Sequence, residues 1–328
     1  MTTPYVDTST LSDNLHSFYF KTLLESAEKK LVVAQLGMKK LHPKRTGKES
    51  YVLQYSNLDS TSDSITEGVT PSESEISTNK TTITLSQYGR WIGHSDVISK
   101  VAIDDVVENI SKRLGYAAAK SVDSTIIAVL IAGATNSIQY VGAGNTVDDD
   151  ISATEVFTAL DVIKGVRVLR GQDAPEREDG YYTMVVHSLI AMDMMSDTSA
   201  GGIIELNKYV AGMQEKPLKG EVGKAYGAKV IESNNISSVE NGSSVNVYRG
   251  LLCAQDPFVF TSLDKDFIEY INKEVGSSGA ADPLNQRGSI GYKMMFGSAY
   301  VGGAWAEDAD EGASPDLCVQ IRGAATGG

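Results

Sequence analysis

The sequence predicts an α+β protein, and three observations carry that prediction. Two runs of alternating apolar residues, Tyr51–Leu53–Tyr55 and Ile83–Leu85, read as strands. Apolar residues in steps of three and four, from Val107 through Ile110, Leu114, Ala118, Val122, Ile126 and Val129, read as one long helix. The 31 glycines exceed the usual share of about 7% and favour the many turns of a strand-rich chain. The order is arm, long hairpin, long helix, compact mixed region and late strands, without an internal repeat.

Residues 1–16 are polar and lack periodicity. Phe18–Gly37 has a helical stripe in Phe20, Leu23, Leu24, Ala27, Leu31 and Ala34, ended by Gly37. Lys39, Lys40, Lys44, Arg45 and Lys48 follow, broken by Pro43 and Gly47, and are expected to form an arm outside the core. Between the two strands lies a polar stretch with Asp59, Asp63, Glu67, Glu73 and Glu75 and no basic residue before Lys80. A connection this long is unusual inside a compact domain. A hairpin leaving the body of the molecule accounts for it.

Asp105-x-x-Glu108 forms a capping box for the long helix, expected to run to Ile131. Ser152-x-x-Glu155 is expected to open a second helix with the stripe Val156, Leu160, Ile163 and Val166, closed by Gly171 and Pro175. Strands are expected at Tyr181–Val186, Ala228–Ile231, Val245–Cys253, Phe258–Phe260, Tyr292–Tyr300 and Leu317–Ile321, with a Met-rich helix at Leu189–Met195. Phe267–Glu274 fits strand or helix, and Glu307–Pro315 reads as an acidic loop.

At 328 residues the chain is long enough for two domains and needs no disulfide or metal to stay folded. Its net charge of −13 argues against sequence-specific DNA binding, which needs a basic face. Proximity to DNA remains compatible with that charge. Cys253 and Cys318 sit among apolar neighbours and are expected to be buried free thiols. No basic, then apolar, opening segment marks a secretion signal. The longest apolar run, Ile126–Ala134, is too short to span a bilayer.

Catalytic, cofactor and metal residues are not assigned. His16, His42, His94 and His187 have no second ligand at metal spacing, and no HExxH or CxxC is present. His187 precedes Ser188, but no G-x-S-x-G elbow accompanies them. Gly142-Ala143-Gly144 lacks a phosphate loop's third glycine and reads as a turn. Asp148-Asp149-Asp150 reads as solvation beside a helix N-terminus. Asp308-Ala309-Asp310-Glu311-Gly312 misplaces the glycine of a calcium loop and lacks its closing Glu. Met192, Met194, Met195, Met294 and Met295 read as core filling, and Trp91 and Trp305 as packing anchors.

Two segments carry a family resemblance. One is Thr66-Glu67-Gly68-Val69-Thr70-Pro71, inside the polar hairpin. The other is Asp282-Pro283-Leu284-Asn285-Gln286-Arg287-Gly288, followed by Ile290-Gly291-Tyr292-Lys293. Together they resemble the major capsid proteins of enquatrovirus-like tailed phages, of the Hong Kong 97-type fold. The likeness runs from about Phe18 to Ile321, and the family carries tryptophan more often at the place of Tyr292. The resemblance implies an N-arm at 1–48, an extended E-loop hairpin at 49–92 and a peripheral domain with its spine helix at 93–134. It further implies an axial domain at 135–260, a return through the peripheral domain at 261–298 and a C-terminal axial strand at 299–328.

The same resemblance implies hexamers and pentamers closing an icosahedral shell around double-stranded DNA, assembled in the host cytoplasm and residing in the virion. The implied partners are copies of the chain, a portal, a separate scaffolding protein and, as a further candidate, a decoration protein; no membrane is implied. Tyr51, Leu53, Tyr55, Ile83 and Leu85 are expected to form one face that a neighbour covers. Lys39, Lys40, Lys44 and Arg45 either oppose Asp59, Asp63 and Glu67 of another subunit, as their opposite charge suggests, or both segments are simply solvated. Glu67, Gly68 and Pro71 shape a turn, and Arg287 is either a structural ion pair or a subunit contact. Competing readings are an encapsulin-like nanocompartment, a hydrolase with a dispersed site and a surface adhesin.

Overall fold

The computed structural model describes residues 19–27, 31–55, 65, 67–70, 76, 78–101, 105–197, 221–263, 267–277, 282–302 and 316–326. Residues 1–16, Asp59, Asp63, Pro71, Trp305 and the acidic segment 307–315 lie outside this set.

The N-terminal helical stripe forms α1 (residues 19–27), then a single 3-10 turn at Val33–Gln35. Leu23, Val33 and Leu36 are fully buried against the long helix, so this segment is core and not a free arm. β1 (Met38–His42) corrects the arm expectation further: it pairs parallel with β11 (Phe258–Leu263) at a sheet edge. Lys39 is exposed along this edge strand, where charge discourages further pairing, while Lys40 is half-buried and donates to the Tyr51 carbonyl.

β2 (Glu49–Tyr55) and β3 (Thr78–Thr84) form a two-stranded hairpin. β4 (Ser86–Ser95) does not belong to it, although the hairpin was expected to extend to residue 92. It pairs residue by residue with β13 (Arg287–Tyr300) across Arg287–Phe296. The same β13 pairs with β12 (Ile268–Lys273) and with β11, which completes a five-stranded sheet.

After a short α2 (Asp96–Val101), the long apolar period forms α3 (Val106–Gly133). The Asp105 carboxylate caps it, accepting from the Glu108 N–H at 3.1 Å. Leu114, Ala118, Val122, Ile126 and Leu130 pack on Tyr270, Ile290, Tyr292, Met294 and Phe296 of the sheet. α3 is apolar and long enough to cross a membrane by composition alone, but half of its most apolar stretch is buried in this core. Gly115 lets α1 approach, because a Cβ there would lie 2.3 Å from the Leu23 carbonyl oxygen.

The second body is a seven-stranded sheet. Its strands are β5 (Ile138–Tyr140), β6 (Tyr182–Val186), β7 (Glu221–Ala225), β8 (Ala228–Glu232), β9 (Val239–Glu240), β10 (Asn246–Cys253) and β14 (Cys318–Ala324). They run in the order β5-β14-β10-β6-β8-β7, with β9 on β10. α4 (Ala159–Gly171) and α5 (Ser188–Ser196) cover it, with Val162, Val166, Leu169, Ile190 and Met194 in their shared core.

α4 starts later than expected. The Ser152 N–H does donate to Glu155 Oε2 at 2.8 Å, but the chain then stays extended and the Phe157 N–H donates to the Ala324 carbonyl at 3.2 Å. The helix begins where Thr158 donates its N–H and hydroxyl to Asp161, at 3.0 and 2.7 Å. This shift turns Leu160 and Ile163 outward and buries Ala159 and Val162 instead.

Two side chains lock the bodies together. The Gln320 amide donates to the carbonyls of Ile131 and Ala134, at 2.7 and 3.1 Å, at the end of α3. The Tyr300 hydroxyl accepts the N–H groups of Leu317 and Cys318, at 3.1 and 3.2 Å. Asp148, Asp149 and Asp150, expected to be merely solvated, each hold a partner. Asp148 grips Arg322 at 2.8 and 2.9 Å, Asp149 accepts the Gly242 N–H at 2.8 Å, and Asp150 accepts the Thr146 N–H at 2.9 Å. The methionines divide: Met194 and Met294 are core, while Met192 and Met195 are exposed.

Candidate assembly surface

The β2–β3 register decides which hairpin residues face outward. Tyr51 faces Thr82, Leu53 faces Lys80 and Tyr55 faces Thr78. Side chains of directly paired residues share a sheet face. Tyr51, Leu53 and Tyr55 therefore form one outward stripe, 51%, 50% and 67% exposed. The Lys80 ammonium sits over the Tyr51 ring, 4.8 Å from its centre, and Lys40 donates to the Tyr51 carbonyl. These two lysines hold the tyrosine in place within its own subunit.

Ile83 is paired with Ser50 and lies on the opposite face. It is fully buried against Val259 and Val301, with Val52 beside it. Leu85 is buried as well, and its N–H donates to the Lys48 carbonyl at 2.8 Å. Ile83 and Leu85 are thus the root of the hairpin and not part of a surface that another copy covers. The Gln54 amide adds to the root by donating to the Val301 carbonyl at 2.8 Å. Glu67 and Gly68 form an exposed turn, with Gly68 at φ 84°, where glycine is the residue without steric cost.

Lys39, Lys44 and Arg45 are exposed. Arg45 takes a left-handed backbone, φ 70°, in the turn after β1. In the second motif Asp282 is buried, and its carboxylate accepts the Arg287 N–H at 2.7 Å while its carbonyl accepts the Asn285 N–H at 3.0 Å. The conformation of this turn is set by Asp282, and the Arg287 side chain is left exposed.

Sequence reasoning missed one exposed aromatic residue. Trp91, expected to be a packing anchor, is 72% exposed on β4. It lies over Gly291, where a Cβ would meet the Trp91 Cβ at 2.9 Å. Ile92, Val97, Ile98 and Val101 are further exposed apolar residues of β4 and α2. The signal was Gly89 and Gly93 flanking Trp91 in a strand with no apolar alternation. A groove of about 600 Å³ lies nearby, bordered by Phe20, Ile268, Met294 and Met295 with Lys44 and Lys293 at its polar rim.

Two of the histidines, His187 and His42, have structural settings. His187 caps α5, its Nδ1 accepting the Leu189 N–H at 3.2 Å, and burial pushes its imidazole below its ordinary value. His42 is buried beside Thr46 and the Gly47 carbonyl. Gly142 and Gly144 both take positive φ, 97° and 89°, in a turn.

The subunit thus sets a long helix on one sheet, a second body on another and a hairpin with an exposed apolar stripe. Solved structures share this fold. The capsid of Ralstonia phage GP4 matches with a TM-score of 0.68 at 14% identity, over 90% of this chain and 92% of that one. The Cyanophage Pam1 capsid matches at 0.64 with 15% identity, over 89% of each chain. The capsid of Helicobacter pylori bacteriophage KHP30 matches at 0.60 with 12% identity, over 87% of each. No curated protein is similar enough in sequence to match. The profile of a family described as phage capsid protein matches residues 78–306. The chain belongs to that family. Its fold is the Hong Kong 97-type, and its place is the capsid of the virion.

Proposed function

We propose that this major capsid subunit tiles an icosahedral shell around double-stranded DNA as hexamers and pentamers, with a structural and non-enzymatic role. The observation that carries the assembly reading is the stripe Tyr51, Leu53 and Tyr55, half or more exposed on a hairpin whose other face is anchored in its own subunit. Burying each such side chain contributes on the order of 1–3 kcal/mol, and ordering offsets part of it. Contacts of this kind are heterologous, one surface meeting a different one, and they close rings by rotation. The groove between Phe20 and Met294 offers an apolar seat of fitting character on the adjacent copy.

A portal, a separate scaffolding protein and a decoration protein are the partners proposed beyond the chain itself, with non-specific proximity to packaged DNA. The enquatrovirus-like branch rests on the two quoted motifs. The family match favours a phage shell over an encapsulin-like compartment.

Negative-stain microscopy of a variant carrying Tyr51→Ser, Leu53→Ser and Tyr55→Ser tests the reading. Shells, rings or tubes are expected from the wild type, co-expressed with scaffold where needed, and not from the variant, while its thermal melt is retained. Wild-type particle yield from the variant would end the proposal.

A further inference from the structure

The register of β10 and β14 sets Cys253 directly opposite Cys318. The next pair along is hydrogen-bonded, since the Ala254 N–H donates to the Leu317 carbonyl at 2.9 Å. Hydrogen-bonded and non-hydrogen-bonded pairs alternate along an antiparallel ladder, so the cysteines occupy a non-hydrogen-bonded pair, where Cα atoms approach to about 4.5 Å. A disulfide needs Cα atoms about 4.4–6.8 Å apart. The two Sγ atoms are 3.6 Å apart, and both thiols are free and buried. Small rotations about the two Cα–Cβ bonds bring them to the bonded distance of about 2.05 Å.

We infer that Cys253 and Cys318 are a latent disulfide site, which a small-molecule disulfide converts into a cross-strand bond within one subunit. One cysteine thiolate attacks oxidised glutathione, forms a mixed disulfide and expels one glutathione thiolate. The second cysteine thiolate attacks the protein sulfur of that adduct and expels the other. Two cysteine thiols are oxidised to one disulfide, one oxidised glutathione is reduced to two thiols, and the two cysteine protons end on glutathione.

The hydrogen bond between the thiols and their burial hold the Cys318 thiol well above its ordinary value. Exchange in the closed fold is therefore slow, and it waits for β14 to open. A reducing cytoplasm keeps the pair as thiols, and oxidising surroundings favour the bond. The bond lands at a structural junction. β14 carries Gln320, which holds the end of α3, and the Cys318 N–H is bound by Tyr300. It also closes the chain from 253 to 318, containing β11, β12 and β13, and so restrains the unfolded state. A lock of the shell after release from the host rests on the capsid reading, whereas the thiol chemistry does not.

The purified full chain is incubated with oxidised glutathione a few degrees below its melting point, where β14 opens repeatedly. Intact mass and alkylation under denaturing conditions then count thiols. The expected product has lost two hydrogens per chain, has no alkylatable thiol and is not cross-linked between chains. It melts about 5 °C higher, and dithiothreitol reverses the shift. Cys253→Ala and Cys318→Ala each show neither the mass loss nor the shift, and two variants guard against one failing to fold. Persistent free thiols, a stable glutathione adduct or an oxidised form that melts lower than the reduced one overturns the inference. Failure of the capsid reading would be read separately, in particle yield.

Discussion

Asp123, buried in the middle of α3, accepts the backbone N–H of Val32 at 2.9 Å, across 91 residues of sequence. It also accepts the Ala34 N–H at 3.2 Å, so one carboxylate clamps the N-terminal segment onto the long helix. Asp123→Ala leaves those donors unpartnered and should cost about 1–3 kcal/mol in a urea titration. Burial raises the carboxyl above its ordinary value, against the pull of the three N–H groups from Val32 to Ala34. A carboxyl raised in the folded state binds its proton more tightly there than when unfolded. Its contribution is full below the ordinary carboxyl value and is lost as pH rises through the folded one. The stability of the wild type minus that of Asp123→Asn should therefore fall with rising pH in that window. A difference that is flat with pH contradicts this linkage.

Ile83 and Tyr51 lie on opposite faces of the hairpin, one buried and one exposed. Ile83→Ala removes a fully buried side chain and should cost about 2–4 kcal/mol. Tyr51→Ser changes an exposed position and should cost less than about 1 kcal/mol, with its effect appearing in particle yield. Chemical denaturation of the two variants side by side distinguishes them. Equal losses would mean that Tyr51 is also part of the subunit's own core.

The same pair shows how far the sequence can be read. Alternation identified both strands, because period two is written in the residues themselves. It could not give the register, and a shift of one residue moves every side chain to the other face. Ile83 pairs with Ser50 and not with Tyr51, so two runs that look alike face opposite ways. The long helix was legible because cap and period agreed at Asp105 and along α3. The start of α4 was not, because a good local box at Ser152 was overridden by pairing of Val156 and Phe157 with Ala324 near the chain's end. Of the candidate surface, the Tyr51 stripe was visible as an alternation too polar in its surroundings to be core. Trp91 was not, since its exposure follows from β4 pairing along β13.

Trp91→Ala should leave the folding free energy within about 0.5 kcal/mol of wild type, since the ring is mostly solvated in the single subunit. Particle yield should drop if this face is covered in the shell. Thermal melting and electron microscopy on the same preparation read both quantities. A large loss of stability would place the indole in the subunit's own packing against Gly291.

Lys44→Glu together with Arg45→Glu reverses two charges on an exposed turn. Exposed ion pairs contribute only about 0–1 kcal/mol each, so subunit stability should hardly change. Repeated over a shell, the reversal should slow assembly, most strongly at low ionic strength where screening is weakest. Light scattering at several salt concentrations follows it. Wild-type rates at low salt would remove the basic turn from the interface.

Asp282→Ala and Arg287→Ala test the second motif by parts. Asp282 is buried and its carboxylate takes the backbone N–H of Arg287 at 2.7 Å, closing the turn between β12 and β13. Removing it leaves that N–H without its partner and should cost about 1–2 kcal/mol, seen as a lower urea midpoint. Arg287→Ala keeps the backbone N–H and the turn, so the subunit should melt as wild type does. Loss of particles from Arg287→Ala, with its melt intact, would assign the guanidinium to a subunit contact. Normal particles from that variant would leave the motif's role with Asp282 and the turn it closes.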